Sequence, residues 1–561
     1  MYITNGGAVI MIRKDIIVKR PEGTKIYRQR GCVYVYQVTG KTYNSDKRYV
    51  VEDRKCIGKM INDTEMNPNE NYFEFYDDAE LGEPEVQYPE AVKIAMPLLV
   101  QRIMQDLQLQ ELLSSIHGTE AAALIEDLIT YMITKQTSVM QHYDSFAWEH
   151  LCVTGKYIDD SKISEFLKKD ISYMKTEIFQ HQWNRMQTEH NSVWLCYDST
   201  NMNTDAEGIE MAEFGHAKDD EDRPQVNISC AVDQESGMPL FYEMYPGSII
   251  DNTQCTYMVD RAKEYGYKNA GLILDRGYFS TQNIRYFDQK GYDFLLMMKT
   301  GSKVLEEYLE EAILPLATKT KYYLPNHNVY GLTRTGKLGD DMTVRYFHIY
   351  YDNIRAGEEK NEYLKSLLEK EELLKKRVAE KIRRREDMGA FTKEFRLKYD
   401  DNGYLISYKR NENVIQKKAD RLGFFVIVTS KKMSAQEALD IYRNRDSVEK
   451  IFRMLKSGLE YDTFRVHSQS SLEGKTHVVF IAGIVRNHIY QKLKEIKGSD
   501  KKNYTVPAVI NELEKIVTVQ NGNGVYVRRY GLTKRQRKIL EVFGVSEAYL
   551  NKAVAKLNKV S

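Results

Sequence analysis

The order of apolar and polar residues divides the first third of the chain into two segments of different character. Up to about residue 90, short β-branched or aromatic runs such as residues 25–27 (Lys-Ile-Tyr) alternate with Gly and Asn turns. From about residue 91 to 190, apolar residues recur at helical spacing, for example at Leu124 and Leu128. The pattern therefore predicts a β-rich module followed by a helical region.

Continuous apolar runs further along the chain predict strands buried on both faces, and two of these runs end in an aspartate. Residues 193–197 precede Asp198, and residues 271–274 precede Asp275. Two more strands and a helix are predicted between them, over residues 225–232, 240–245 and 252–265. A single aspartate at a strand end is more often a turn or cap residue than a catalytic one. Two of them in this order of elements match a ribonuclease H-like fold, a mixed sheet with helices on its faces.

Residues 442–456 place polar side chains along one face of a predicted helix. Four of them share a stripe at 3.6 residues per turn: Tyr442, Arg445, Glu449 and Lys456. A neighbouring stripe is apolar and would pack the helix on a core: Ile441, Val448, Phe452 and Leu455. An ordinary amphipathic helix with a solvated charged face shows the same spacing. The alternative is a helix that presents a carboxylate flanked by cations to a cleft.

A long segment separates Asp275 from Glu449. This interval is more than twice as long as that between Asp198 and Asp275, so we predict an insertion over residues 300–423. Its middle, about residues 358–385, has the composition of a highly charged helix. An apolar strand then resumes the core, followed by a helix that Ser434 would cap.

Charge is balanced over the whole chain but not along it. The totals are 81 Lys and Arg against 80 Asp and Glu, which give no overall sign of a polyanionic partner. Residues 491–561 nevertheless hold fifteen basic against six acidic residues. A DNA- or partner-contacting domain and a solvated tail both explain that bias. In the first module, a nucleic-acid surface and solvated strand faces explain the basic residues about equally well: Arg13, Lys14, Lys19, Arg20, Arg28 and Arg30.

Cysteine usage and hydropathy exclude several classes of protein. The six cysteines contain no Cys-x2-Cys pair, which argues against a zinc site or a disulfide framework. The longest strongly apolar run, residues 478–485, is far shorter than the roughly 20 residues of a membrane span. We do not expect the apolar patch at residues 8–12 to be an export signal, because basic residues follow it at once and no small-residue cleavage site appears. We expect a soluble protein of a reducing cytosol that does not enter a membrane.

Together these patterns predict a mixed α/β protein with five regions. They are a β-rich N-terminal module with a candidate DNA-contacting surface (1–90), a helical region (91–190), a ribonuclease H-like catalytic core (191–299 and 424–490), an insertion domain (300–423) and a basic C-terminal domain (491–561).

The spacing Tyr-x2-Arg-x3-Glu-x6-Lys resembles the signature of a large branch of DDE transposases of bacterial insertion sequences. Residues 215–219 (Gly-His-Ala-Lys-Asp) and 245–247 (Tyr-Pro-Gly) are also similar to that branch, which carries a β-containing insertion domain. The resemblance covers about residues 190 to 490. It implies a catalytic and metal-binding triad, Asp198, Asp275 and Glu449, and three ligands of the DNA phosphate next to the cut, Tyr442, Arg445 and Lys456.

Three carboxylates that converge at one edge of a sheet repel one another, and hard divalent cations neutralise them best. We therefore expect two Mg²⁺ ions, with Mn²⁺ as a substitute, to support in-line phosphoryl transfer. Asp198 would bridge both ions, and Asp275 and Glu449 would each hold one.

The activity implied by the resemblance is cut-and-paste transposition in the bacterial cytoplasm, at the nucleoid. The expected partners are the inverted-repeat ends of the element, target DNA and a second copy in a homodimeric synaptic complex. Relatives that form a DNA hairpin can stack a flipped base on a tryptophan of the insertion, but residues 300–423 contain none. Tyr322, Tyr323 or Tyr330 would stack the base instead. Two alternatives stay open: a ribonuclease H-like nuclease without strand transfer, and an inactive DNA-end-binding protein.

Overall fold

Most of the chain is described by the structure, a computed structural model. The described residues are 3–5, 8–10, 16–29, 31–44, 49–76, 91–187, 194–215, 220–299, 303–338, 341, 343–381, 383, 389, 391–496, 504–521 and 524–560. Arg13, Lys14, Arg30, Val193 and residues 216–219, which entered the predictions above, lie outside them. The chain divides into a first unit, residues 1–88, and a second unit, residues 89–560.

The first unit is built on an antiparallel sheet. Its strands are β1 (Ile3–Asn5), β2 (Ala8–Ile10), β3 (Val18–Lys19), β4 (Lys25–Gln29), β5 (Cys32–Asn44), β6 (Tyr49–Met60) and β7 (Glu65–Pro68). Five of them pair in the order β3-β7-β6-β5-β4, with a long β5–β6 hairpin at the centre. Val35, Ile57 and Met66 lie fully buried in its core. Strand β4 contains the predicted residues 25–27.

The second unit combines strands and helices throughout its length. Its strands are β8 (Ala91–Lys93), β9 (Trp194–Asn203), β10 (Gln225–Asp233), β11 (Pro239–Pro246), β12 (Gly271–Leu274), β13 (Asp293–Met297), β14 (Tyr323–Leu324), β15 (Val329–Gly336), β16 (Arg345–Tyr351), β17 (Phe395–Tyr399), β18 (Leu405–Arg410), β19 (Phe424–Thr429), β20 (Val517–Gln520) and β21 (Tyr526–Arg528). Its helices are α1 (Ala95–Asp106), α2 (Leu109–His117), α3 (Thr119–Lys135), α4 (Tyr143–Glu149), α5 (Asp160–Lys169), α6 (Tyr173–Gln187), α7 (Asp251–Glu264), α8 (Thr281–Lys290), α9 (Lys303–Thr318), α10 (Asn353–Ala379), α11 (Glu412–Ala419), α12 (Ala435–Arg443), α13 (Asp446–Arg453), α14 (Gln469–Lys494), α15 (Val506–Leu513), α16 (Lys534–Val542) and α17 (Glu547–Val560).

A nine-stranded mixed sheet forms the centre of this unit, in the order β11-β10-β9-β12-β13-β19-β16-β15-β14. β9, β10 and β11 pair antiparallel, whereas β12 and β13 run parallel to β9. The remaining strands extend the sheet in antiparallel pairs. The apolar runs that predicted strands are buried in it, and the protein is a mixed α/β fold.

Helix α14 packs the helical region onto the sheet. Its apolar residues are buried nearly all the way round, and it contacts α3, α5, α6 and β11. Gly474 permits the close approach to α5, because a Cβ there would lie 2.0 Å from the Leu167 carbonyl oxygen. No helix in the described part of the chain has both the length and the hydropathy to cross a bilayer.

The segment predicted as an insertion contributes to two structures. β14, β15 and β16 join the central sheet, while α10, the β17–β18 hairpin and α11 enclose a separate small core around Leu367, Phe395 and Ile415. The charged helix α10 begins earlier than predicted, because the Asp352 carboxylate accepts hydrogen bonds from the amides of Ile354 and Arg355. The boundaries of the five regions remain predictions.

The C-terminal region shares a small sheet with the start of the second unit. β20 pairs with both β8 and β21, and Thr518 Oγ1 donates to the Val92 carbonyl at 2.9 Å. Local sequence patterns did not predict this pairing.

Candidate active site

Asp198 lies inside β9, not at its end as predicted. β9 pairs with β12 only as far as Cys196, opposite Ile273, but pairs with β10 along its whole length to Asn203. Asp198 therefore stands where β9 extends beyond its neighbour and one edge of the strand opens. Its side chain remains 20% exposed.

Asp275 follows β12 directly, as predicted, and also has the local role of a turn residue. Its Oδ1 accepts a hydrogen bond from the Arg276 amide at 2.6 Å, at the start of a short 3₁₀ turn. One oxygen is thus used by the turn, and its Oδ2 faces Arg445 at 3.8 Å. Asp275 can therefore serve both as the residue that starts this turn and as a candidate catalytic carboxylate.

The predicted helix over residues 442–456 is not continuous. α12 begins with a capping box in which Ser434 and Glu437 bond each other's amides, as the sequence predicted for Ser434. It ends at Arg443, and the chain makes a tight turn in which the Arg445 amide donates to the Tyr442 carbonyl at 2.9 Å. The Asn444 carbonyl accepts from Cys196 Sγ of β9 at 3.8 Å, so this turn is fixed to the strand that bears Asp198.

After α13 the backbone widens into a π-helical segment, Met454–Gly458. A π turn adds one residue to a turn of helix, which changes the direction of Lys456 relative to Glu449. Gly458 ends the segment and packs against Arg486 of α14. A Cβ at position 458 would lie 2.8 Å from the guanidinium carbon of Arg486. The prediction that Lys456 continues the stripe of Glu449 at 3.6 residues per turn is therefore wrong.

The Arg445 guanidinium contacts the three predicted carboxylates, Asp198, Asp275 and Glu449. Its Nη1 lies 3.5 Å from Asp198 Oδ2 and 3.8 Å from Asp275 Oδ2, and its Nη2 donates to Glu449 Oε1. Burial alone would lower the pKa of Arg445, but Tyr442 and the three carboxylates outweigh it and the pKa is raised. The cation stays charged and offsets the repulsion among the acids.

Tyr442 and Lys456 occupy different places relative to this cluster. The Tyr442 hydroxyl donates to Asp275 Oδ1 at 3.3 Å, and burial followed by the Asp275 charge raises the pKa of the phenol. Lys456 Nζ instead donates to the Asn201 carbonyl at 3.1 Å, further along β9 from Asp198. Five of the six predicted residues are therefore brought together, and the sixth, Lys456, contacts β9 further along the strand.

A supporting contact behind the carboxylates was not predicted. Ser199 Oγ and Tyr278 OH lie 2.9 Å apart, and both side chains are buried. They join β9 to the turn after β12, and so hold Asp198 and Asp275 on neighbouring elements. The only sequence signal was that each residue stands close after an aspartate, which does not distinguish a contact from chance.

The metal-binding capacity of the cluster depends on its donor set and on Arg445. No group of three His, Cys, Asp or Glu side chains in the described ranges is arranged as a complete metal site. Here Arg445 lies among the carboxylates. The donors themselves are carboxylate oxygens only, which are the ligands that hard divalent cations take. The donor set fits such ions if Arg445 gives up its contacts.

Comparison with known proteins identifies the family. The profile of the family described as Transposase DDE domain matches residues 190–483, more than half of the chain. No curated protein sequence matches the chain. A cryo-electron-microscopy structure of the piggyBac transposase synaptic complex with hairpin DNA matches at 10% identity and a TM-score of 0.33, over 71% of this chain and 64% of that one. This chain thus spans less than two thirds of that protein. On the family profile, the chain belongs to the transposase DDE domain family.

Proposed function

We propose that this protein is the transposase of a bacterial insertion sequence, which binds the inverted-repeat ends, cleaves them and joins them to target DNA. The observation that carries the proposal is the convergence of Asp198, Asp275 and Glu449 on one guanidinium. They come from β9, from the end of β12 and from α13, which are far apart in sequence. The family profile spans all three.

We further propose a ribonuclease H-like core for this activity. The order β11-β10-β9-β12-β13, with three antiparallel strands followed by two that run parallel to β9, supports it. Asp198 lies on β9, and Asp275 directly follows the adjacent strand β12. On this proposal, the part of the chain between β13 and β19 is the insertion domain.

Two Mg²⁺ ions, with Mn²⁺ as a substitute, are the proposed cofactors, held by Asp198, Asp275 and Glu449. When bound, the ions supply activation of the attacking hydroxyl and stabilisation of the leaving oxygen. Arg445 neutralises the same carboxylates in this structure. Its planar fork of donors matches a phosphate as well as a carboxylate, so released Arg445 can bind the DNA backbone.

Tyr442, Arg445 and Lys456 are the proposed ligands of the phosphate next to the cut. A phenol donor and two cations hold the backbone by charge-assisted hydrogen bonds and fix its register without reading sequence. In the first step, water attacks phosphorus and the bond to the 3′ oxygen breaks, which leaves a 3′-hydroxyl. That hydroxyl attacks a phosphorus of the opposite strand and displaces the 3′ oxygen of the flanking DNA, which closes the hairpin. Water then attacks the hairpin phosphorus and displaces the 3′ oxygen again. The freed 3′-hydroxyl attacks a phosphorus of the target DNA and displaces the 3′ oxygen of the target strand.

For the hairpin step we propose Tyr323, because its ring is the most exposed of the three predicted tyrosines. It is 42% exposed at the sheet edge in β14, and its hydroxyl donates to Asn328 Oδ1 at 2.8 Å. Tyr322 and Tyr330 are less exposed. An exposed, oriented ring can stack a flipped base at about 1–3 kcal/mol. Two ends must be held together, so we propose a homodimer in the DNA complex.

The test is a cleavage assay with labelled duplexes that carry the inverted repeats flanking this reading frame, in Mg²⁺. Wild type is compared with Glu449→Gln and with Glu177→Gln, a carboxylate on α6 outside the site. Cleavage by wild type and Glu177→Gln alone supports the proposal, and joined products complete it. Cleavage without joining would indicate a nuclease, specific binding without cleavage an inactive end-binding protein, and no specific binding would refute the proposed substrate.

A further inference from the structure

A cleft of about 700 Å³ lies in the second unit, beside α5. We call it the α5 cleft. One wall is α5, another is the chain at residues 139–141, and the third is formed by residues 465–468 with the first turns of α14. Its charged lining residues are Asp160, Glu165, Lys168, Lys169, Arg465 and Lys475, and its hydroxyl donors are Ser164, Ser468 and Ser471.

Cations outnumber carboxylates along this cleft, and the rim cations are available. Lys169 pairs with Glu165, an exposed contact within one helix, and Arg465 Nη2 lies 3.2 Å from Glu460. Lys168 is exposed and makes no ion pair with any described residue. Exposed pairs of this kind are weak because water screens both charges, so they yield readily to a polyanion.

Lys475 is a buried cation at the floor of the cleft. It is only 2% exposed, and its ammonium donates to the Phe464 carbonyl at 2.8 Å. No carboxylate of the described chain lies within ion-pairing distance, although an ammonium offers three donors. Burial, followed by the nearby Arg465, lowers the pKa of Lys475 to about 8. The Glu460 carboxylate opposes this shift from beyond ion-pairing distance, and an anion in the cleft would add a close counter-charge.

The walls of the cleft are tied to the chain segments that carry the candidate catalytic residues. Residues 459–468 continue directly from the π segment that holds Lys456. Within them, Glu460 accepts from Thr137 Oγ1 at 2.5 Å and from Ser138 Oγ at its carbonyl. The Gln469 amide donates at 2.9 Å to the carbonyl of Gly208, in the connection that follows β9. The chain that follows Glu449 therefore lines this cleft, and the chain that follows Asp198 is hydrogen-bonded to Gln469, next to the lining residue Ser468.

We propose that the α5 cleft binds the sugar-phosphate backbone of a single DNA strand that leaves the catalytic centre. The inference rests on the function proposed above and adds a site to it. Cations and serine hydroxyls are the side chains that contact phosphates, and a basic groove of limited volume accommodates one strand. An acidic peptide would use the cations but not the hydroxyls, and is the less favoured occupant.

The experiment measures binding of two probes by fluorescence anisotropy across a salt series. One is a blunt duplex that carries the inverted repeat, and the other is the same duplex with a short single-stranded thymidine overhang. Lys168→Glu is compared with Lys162→Glu, on the same helix but outside the cleft. The overhang should tighten wild-type binding, and Lys168→Glu should remove about fivefold of that gain. One lost phosphate contact should lower the salt slope by about 0.7.

Lys162→Glu should keep the full gain from the overhang. Arg465→Gln provides a second variant at the opposite wall and should lose a similar part of the gain. An overhang that adds nothing for wild type, or an equal loss in both lysine variants, would overturn the proposal. Intact blunt-duplex binding in those cases leaves the proposed function standing. Competition by an oligoglutamate peptide that Lys168→Glu abolishes, without any overhang gain, would instead favour an acidic protein partner.

Discussion

The second unit contains two arginines that each contact three carboxylates, and the two clusters differ in how tightly they are built. Arg261 Nε lies 2.7 Å from Glu243 and its Nη1 lies 3.0 Å from Glu264, while its Nη2 donates to Glu177. Arg445 makes one close contact, to Glu449, and two at 3.5 and 3.8 Å. We refer to these as the Arg261 cluster and the Arg445 cluster.

Exposure separates the clusters further. In the Arg261 cluster, Glu243 is 11% and Glu177 is 18% exposed, and Glu264 alone is open to solvent. In the Arg445 cluster, Asp275 is 36% and Glu449 is 43% exposed. One arginine and three carboxylates therefore form a largely buried structural joint between α6, β11 and α7 in one place. In the other they form an open anionic surface that a single loosely held cation neutralises.

The largest expected difference is in catalysis. Asp275→Asn keeps the size of the side chain but removes the anion, and should lower the rate of end cleavage by about 10³-fold or more. Glu264→Gln, in the Arg261 cluster, should leave that rate unchanged. Single-turnover cleavage of the labelled duplex is the measurement. Equal losses in the two variants would mean that the clusters do not differ in function.

The next effect is on stability. Arg261→Met should cost about 3 kcal/mol or more in the free energy of unfolding, because it leaves buried carboxylates without a counter-ion. Arg445→Met should cost about 1 kcal/mol, since its half-exposed carboxylates are screened by water. Urea unfolding followed by tryptophan fluorescence reports on the second unit, which contains Trp148, Trp183 and Trp194.

Addition of Mg²⁺ should distinguish the two arginine variants further in the same unfolding measurement. It should restore the stability of Arg445→Met, because a ligand that binds only the folded state stabilises it by mass action. It should leave Arg261→Met unchanged. Recovery of both variants, or of neither, would contradict the proposed distinction.

A pH effect of about 2–3 kcal/mol is expected from the Arg261 cluster. Burial raises the pKa of Glu243 to about 7 in spite of Arg261, and Glu177 and Glu264 add to the rise. Between its usual pKa of 4.5 and about 7, the folded protein holds a proton that the unfolded chain has lost. This stabilisation is complete below the lower value and is lost as pH rises through about 7. Glu243→Gln should remove that slope from urea midpoints measured across this range.

The smallest effect concerns hydroxyl groups. Tyr442→Phe removes a long hydrogen bond to Asp275 and should change the free energy of unfolding by about 0.5 kcal/mol, while it slows cleavage about tenfold. Tyr265→Phe removes the hydroxyl that accepts from Arg261 at 2.6 Å, and should lower stability by about 1 kcal/mol with cleavage unaffected. The opposite pattern would show that Tyr442 is a structural residue.

Local sequence patterns correctly predicted those strands and helix ends that are determined by residues within the element itself. Gly271 to Leu274 is a short, fully apolar run, and β12 has those bounds with Asp275 directly after it. The capping box at Ser434 is likewise a local device. In both cases the residues that determine the element lie within it.

Other features depend on partners distant in sequence, and the sequence did not reveal them. β9 continues past Asp198 because β10 pairs with it to Asn203. The signature helix breaks at Asn444, where the chain meets Cys196 of β9. The resemblance to the transposase signature implied that Asp198, Asp275 and Glu449 share one site. The position of Arg445 among these carboxylates was not predicted, because it depends on that break.

The pairing of β20 with β8 makes the order of synthesis matter. β8 is the first strand of the second unit, and its partner lies more than 400 residues later, near the carboxyl end. Glu514, just before β20, also reaches His150 and Lys93. While the chain is being translated, this edge of β8 therefore lacks its native neighbour until β20 has been synthesised. A ribosome that stalls after the three candidate carboxylates have emerged would leave a chain whose second unit is incomplete.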